Sequence, residues 1–96
     1  MIFIGYSLAD EGFRCEDFGK KTTDDLESCK KAVNTIKKIN PDVGVSVNER
    51  SFKYQPKGCY VANNRIFFNT DSTDASNAGS RQVCKGKSPS MLFSYR

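Results

Sequence analysis

Four cysteines, Cys15, Cys29, Cys59 and Cys84, are the side chains best equipped for chemistry in this 96-residue sequence, which contains no histidine. A nucleophilic thiol needs a neighbouring base, and histidine is the usual one. Structural zinc sites use closely spaced pairs such as C-x2-C, whereas the gaps here are 13, 29 and 24 residues. An even set of cysteines at irregular spacing in a short chain points instead to two disulfides, and so to an oxidising compartment. No catalytic thiol, metal site or cofactor is expected.

Paired acids occur at Asp10-Glu11, Glu16-Asp17 and Asp24-Asp25. The last pair suits the start of a helix, where carboxylates face unpaired N–H groups. The other two fall in a polar stretch, and no enzyme is expected from them. Asn69, Asp71, Asp74, Ser76 and Asn77 offer oxygen ligands, but their spacing does not fit an EF-hand loop and no glutamate closes it.

The chain carries 15 basic and 11 acidic residues, a net +4. Residues 1–48 hold seven basic and eight acidic groups (−1), and residues 49–96 hold eight and three (+5). Lys and Arg never run longer than two and no basic-aromatic weave recurs, so nucleic acid is not the expected partner. No apolar run approaches a membrane span. Met1–Tyr6 is apolar, but Asp10, Glu11 and Arg14 follow too soon for a targeting core, so with two disulfides a processed or recombinant form is expected. No Asn-x-Ser/Thr sequon occurs.

The elements that must position the cysteines come next. Residues 2–8 alternate like a strand, and residues 9–23 read as a loop holding Cys15. Leu26, Cys29, Val33 and Ile36, widened by Ala32 and Ile39, form a stripe with helical spacing. Thr22 or Thr23 caps this helix, which spans 24–39 and stops before Pro41. Val43, Val45 and Val47 alternate as a strand with a continuation toward Phe52 and Tyr54. Pro56-Lys57-Gly58 is a turn. Residues 59–62 and 65–69 flank Asn63-Asn64, a pair suited to the left-handed turn of a two-residue hairpin. Residues 70–80 are a polar loop, Val83-Cys84 a short strand, and residues 91–95 a last strand.

The hairpin pairs Cys59 with Phe68, Tyr60 with Phe67, Val61 with Ile66 and Ala62 with Arg65. Alternation then places Cys59, Val61, Ile66 and Phe68 on one face and Tyr60 and Phe67 on the other. The first set is the better core face. Cys29 lies within the helix stripe, so Cys29–Cys59 is the expected bridge, leaving Cys15–Cys84. The rival pairing is Cys15–Cys29 with Cys59–Cys84. Tyr60 and Phe67 are candidate partner-binding residues, with Lys57 and Arg65 at the hairpin's ends adding polar contacts. They can stack on a sugar or anchor a protein. Equally, they can form a cross-strand pair or lie under another loop.

The stretches Cys29-Lys-Lys-Ala-Val33, Pro56-Lys-Gly-Cys-Tyr60 and Ile66-Phe-Phe-Asn69 resemble small cysteine-rich modules of secreted and cell-surface proteins. In apple-type (PAN) and WSC-type modules a helix cysteine is stapled to a curled sheet, and similar layouts occur in extracytoplasmic proteins of algae and other protists. The resemblance covers roughly residues 15–84 and implies a binding or assembly role toward proteins or glycans. The expectation is one α+β domain over residues 1–96, with one helix on an antiparallel sheet of four to five strands and two disulfides. Its expected role is a non-enzymatic interaction or assembly module, secreted, at the cell surface or in an oxidising lumen. A glycan-binding module and a secreted basic defence protein are the alternatives.

Overall fold

A computed structural model describes residues 4–71, 73, 75 and 78–87. Its strands are β1 (Ile4–Leu8), β2 (Lys21–Thr22), β3 (Val47–Arg50), β4 (Gly58–Ala62), β5 (Arg65–Asn69) and β6 (Ser80–Lys87). A 3-10 turn covers Cys15–Phe18, and two helical segments, α1 (Leu26–Lys31) and α2 (Val33–Ile39), meet at Ala32. The α+β expectation holds, but the sheet has six strands and is mixed.

The order across the sheet is β1-β6-β4-β5-β3, with β2 also pairing β6. β3 runs parallel to β5 because β4 turns back between them in sequence. Alternating valines carry no information about that direction. They also mislead about the boundaries. Val43 is buried in a loop, Val45 is exposed, and the strand begins only at Val47. The proposed last strand at 91–95 lies outside the described residues.

The hairpin forms in the expected register, with Asn63 and Asn64 at φ 51° and 59°. Both are left-handed, as a type I′ turn requires, and asparagine tolerates this at modest cost. The turn is also anchored from outside: Asn40 Nδ2 donates to Asn64 Oδ1 (3.1 Å) and the Gly44 N–H donates to Asn64 O (2.9 Å).

The helix is capped by Asp25, not by Thr22 or Thr23. The Ser28 N–H and hydroxyl donate to its two carboxylate oxygens at 2.8 and 2.9 Å. The threonines are committed elsewhere. Thr22 pairs with Cys84 in β2, and Thr23 bridges strands: its N–H donates to Val83 O (3.1 Å) and its carbonyl accepts from Cys59 N–H (2.9 Å). This crossing needs Gly58, which sits at φ +74°, because a Cβ there would come within 2.5 Å of Thr23 O. At Ala32 the chain tightens, and its N–H is shared between Ser28 O (3.0 Å) and Cys29 O (3.2 Å). The helical stripe ends at Ile36. Ile39, expected to widen it, is exposed.

Register divides the sheet into two faces. Cys59, Val61, Ile66, Phe68 and Val83 pack beneath the helix, against Cys29, Ala32 and Ile36. Tyr60, Phe67 and Gln82 oppose one another on the reverse face, and Cys84 follows two residues after Gln82. Each face has its own bridge. Cys29–Cys59 ties the helix to β4, and Cys15–Cys84 ties the 9–20 segment to β6. These are the pairs that the apolar faces of helix and hairpin select.

Candidate functional site

The reverse face is built mainly from polar side chains that hold loops. Gln82 lies in the interior of β6 and is fully buried. Its Oε1 accepts from the Cys15 N–H (2.8 Å) and its Nε2 donates to Lys57 O (3.2 Å). One amide therefore links the 9–20 segment to the 51–57 segment. A buried amide left unpaired is costly, so both contacts fix loop positions as well as contributing bonds.

Asn69, at the end of β5, performs the same task further along. Its Oδ1 accepts from the Phe52 N–H (2.8 Å) and the Asp71 N–H (3.1 Å). Its Nδ2 donates to Phe52 O (2.8 Å) and Pro56 O (3.0 Å). The Thr70 N–H donates to Arg50 O (2.8 Å), and Ser80 Oγ donates to Gln55 Oε1 (2.7 Å). Asn69 is thus a loop pin, and Asp71 Oδ1 accepts from the Thr73 N–H (2.8 Å). Of the other oxygen ligands considered, Asp74, Ser76 and Asn77 lie outside the described residues.

These pins bring Phe52 over the hairpin. Its ring meets Phe67 edge-on, with centroids 6.4 Å apart, and Phe67 stacks on Tyr60 at 5.2 Å. Tyr60 is 1% exposed and Phe67 is half-buried. Of the readings open for Tyr60, a free aromatic face, a cross-strand pair or a ring under another loop, the structure has the cross-strand pair: the ring is buried and stacks on Phe67. Burial pushes its phenol up to about 12, opposed in part by the nearby Arg50 charge. Arg65 and Lys57 are both exposed, but they sit at opposite ends of the hairpin, about 15 Å apart along the strands. They do not converge on one site.

Among the described residues, the aromatics most open to solvent are on the loops. Phe13 and Phe18 are 51% and 48% exposed, and Phe52 and Tyr54 are 39% and 80% exposed. The rings of Phe13 and Phe18 lie 6.0 Å apart, tilted at 58°. Phe18 also borders a cleft of about 140 Å³ that is lined in part by Ser7, Lys20 and Cys84. Phe52 and Tyr54, expected to continue the Val47 strand, lie beyond its end at Arg50; Phe13 and Phe18 give no signal in the sequence, because a lone aromatic in a polar stretch shows no periodicity. The usable signal was the turn chemistry around them, Gly12 and Gly19 at φ 81° and 69°, which marks an ordered loop.

Two of the paired carboxylates, Asp17 and Asp25, have local structural tasks. Asp17 Oδ2 accepts from the Arg14 N–H (2.9 Å). The Ser28 hydrogen bonds, chiefly the backbone one, hold the Asp25 carboxyl below its usual range, helped by Lys85 and Lys31. Among the described residues, no group of three or more His, Cys, Asp or Glu could hold a metal ion, and no helix is long and apolar enough to cross a membrane. Comparison of the chain with protein-family models, curated proteins and solved structures finds no match.

Proposed function

We propose that this protein is a non-enzymatic interaction module of an extracytoplasmic or lumenal protein, and that it presents loop-borne aromatic side chains to a protein partner. One observation carries the reading. Phe13, Phe18, Phe52 and Tyr54 are held out to solvent by two loops that a disulfide, Gln82 and Asn69 fix to the sheet. Rings presented on pre-ordered loops lose little conformational freedom on binding, and aromatic anchors dominate the energetics of protein interfaces. The two disulfides support an oxidising environment.

A protein fits this surface better than a sugar stacked on the sheet. Sugar stacking needs a flat open ring, and Tyr60 is covered while Phe67 meets Phe52 edge-on. The tilt between Phe13 and Phe18 makes a ridge that suits insertion into a partner's pocket. The test is photocrosslinking in extracellular material of the source organism, with a benzophenone side chain placed at Tyr54 or at Lys38 on the helix. A discrete protein adduct from Tyr54 and none from Lys38 is expected. Adducts from Lys38 alone, or none from either position, would refute the reading.

A further inference from the structure

A second surface lies where β2, β6 and the start of β4 meet. A groove of about 410 Å³ is lined by Lys20, Lys21, Lys57 and Lys85, with Glu16 and Asp24 among them. The strand register sharpens this concentration of charge. Lys21 stands directly opposite Lys85 in the antiparallel β2–β6 pair. Like charges facing one another across strands are destabilising. The nearest acid to Lys85 is Asp25 at 3.8 Å, and both oxygens of Asp25 already accept from Ser28. The fold thus sets two lysines at opposed positions of one strand pair, and the Asp25 carboxylate that pairs with Lys85 is shared with Ser28.

We infer that this groove binds a sulfated polysaccharide, with sulfate groups lying between Lys21, Lys85 and Lys57. The composition of the lining favours that class of polyanion. Its cations are all lysine, which offers mobile point charges without the bidentate fork of arginine. No aromatic side chain lines it, so it has no stacking platform for nucleic-acid bases. Glu16 and Asp24 lie among the lysines, and the hydroxyls of a sulfated glycan can donate to those carboxylates while its sulfate groups meet the ammonium groups.

The test uses the whole folded protein and three probes: dextran sulfate, neutral dextran and oligothymidylate. Dextran sulfate should bind and raise the melting temperature, with affinity falling roughly 20- to 40-fold between 50 and 200 mM salt, as expected for three lysine contacts that release about two to three counterions. Lys21→Gln/Lys57→Gln should weaken binding at least tenfold. Lys30→Gln/Lys38→Gln, which removes the same charge from the helix, should leave it within twofold. Lys21→Gln alone should keep or raise the melting temperature of the unliganded protein, which separates lost binding from lost folding. Equal losses in the two double variants, a lowered melting temperature in Lys21→Gln, oligothymidylate binding as tightly as dextran sulfate, or no binding at 50 mM salt would each overturn the assignment.

Discussion

The two faces of the sheet are held by opposite means. The helix face is a conventional apolar core. Leu26, Val33 and Ile36 reach down onto Val61, Ile66, Phe68 and Val83, and Cys29–Cys59 sits among them. Among the described residues, apolar contact on the reverse face comes from a small second cluster, Ala9, Cys15 and Cys84, and from the Phe52, Phe67 and Tyr60 rings. Directed bonds from Gln82 and Asn69 supply the rest. Apolar packing is non-directional and hides side chains. Hydrogen-bonded amides can position a loop while leaving its aromatics in water. The first arrangement suits a scaffold and the second suits a surface for display.

Removing the bridges should give the largest effects and separate the two faces. The cysteines are 30 and 69 residues apart, so loop-closure entropy assigns about 3.5 kcal/mol to Cys29–Cys59 and about 4.5 kcal/mol to Cys15–Cys84. Denaturant titration of Cys29→Ala/Cys59→Ala and Cys15→Ala/Cys84→Ala checks the totals. Hydrogen exchange checks the division. Loss of Cys15–Cys84 should additionally free the amides of residues 10–20, while loss of Cys29–Cys59 should lower protection throughout. Uniform loss of protection in both variants would erase the distinction between the faces.

Single substitutions come next. Ile36→Ala, under the helix, should cost about 2–5 kcal/mol by leaving a cavity. Asn69→Ala should cost about 2–4 kcal/mol by unpairing backbone groups of Phe52, Pro56 and Asp71. The two should differ in kind. The first lowers the unfolding midpoint and leaves loop exchange unchanged below it, whereas the second accelerates exchange in residues 51–57 of the folded protein. An Asn69→Ala variant with protected loop amides would show that the loop has another anchor.

The smallest effect is a pH dependence. Tyr60 titrates at about 12 in the folded protein, above its ordinary value of 10.0. A proton held more tightly when folded stabilises the fold below the unfolded value and is lost as pH rises through the folded one. Stability should therefore decline between about pH 10 and pH 12, and more steeply in the wild type than in Tyr60→Phe. Parallel profiles for the two proteins would mean that burial of the Tyr60 ring does not raise its phenol.

Local patterns made part of this structure legible before any coordinates. The stripe from Leu26 to Ile36 and the Asn63-Asn64 turn are short-range signals, and they located the helix and the hairpin register. The pairing of Cys29 with Cys59 followed from those two faces. The remainder depends on contacts distant in sequence. β6 reads as a two-residue strand because Gln82, Val83 and Cys84 are all buried, so its two covered faces leave no alternation. Phe67 reads as an open ring because the segment that brings Phe52 against it is fixed by Asn69, 17 residues beyond Phe52. The helix cap shifted to Asp25 because Thr22 and Thr23 pair with β6 and β4, which a local capping rule cannot register.

The claim that display belongs to the reverse face is tested most directly by competition for the Tyr54 photoadduct. Excess unlabelled wild type and excess Lys30→Glu/Lys38→Glu, altered on the helix, should suppress the adduct equally. Excess Phe18→Ser/Tyr54→Ser, with its fold verified by circular dichroism, should fail to suppress it. Suppression by the Phe18→Ser/Tyr54→Ser protein, or failure of the helix variant to compete, would contradict the account.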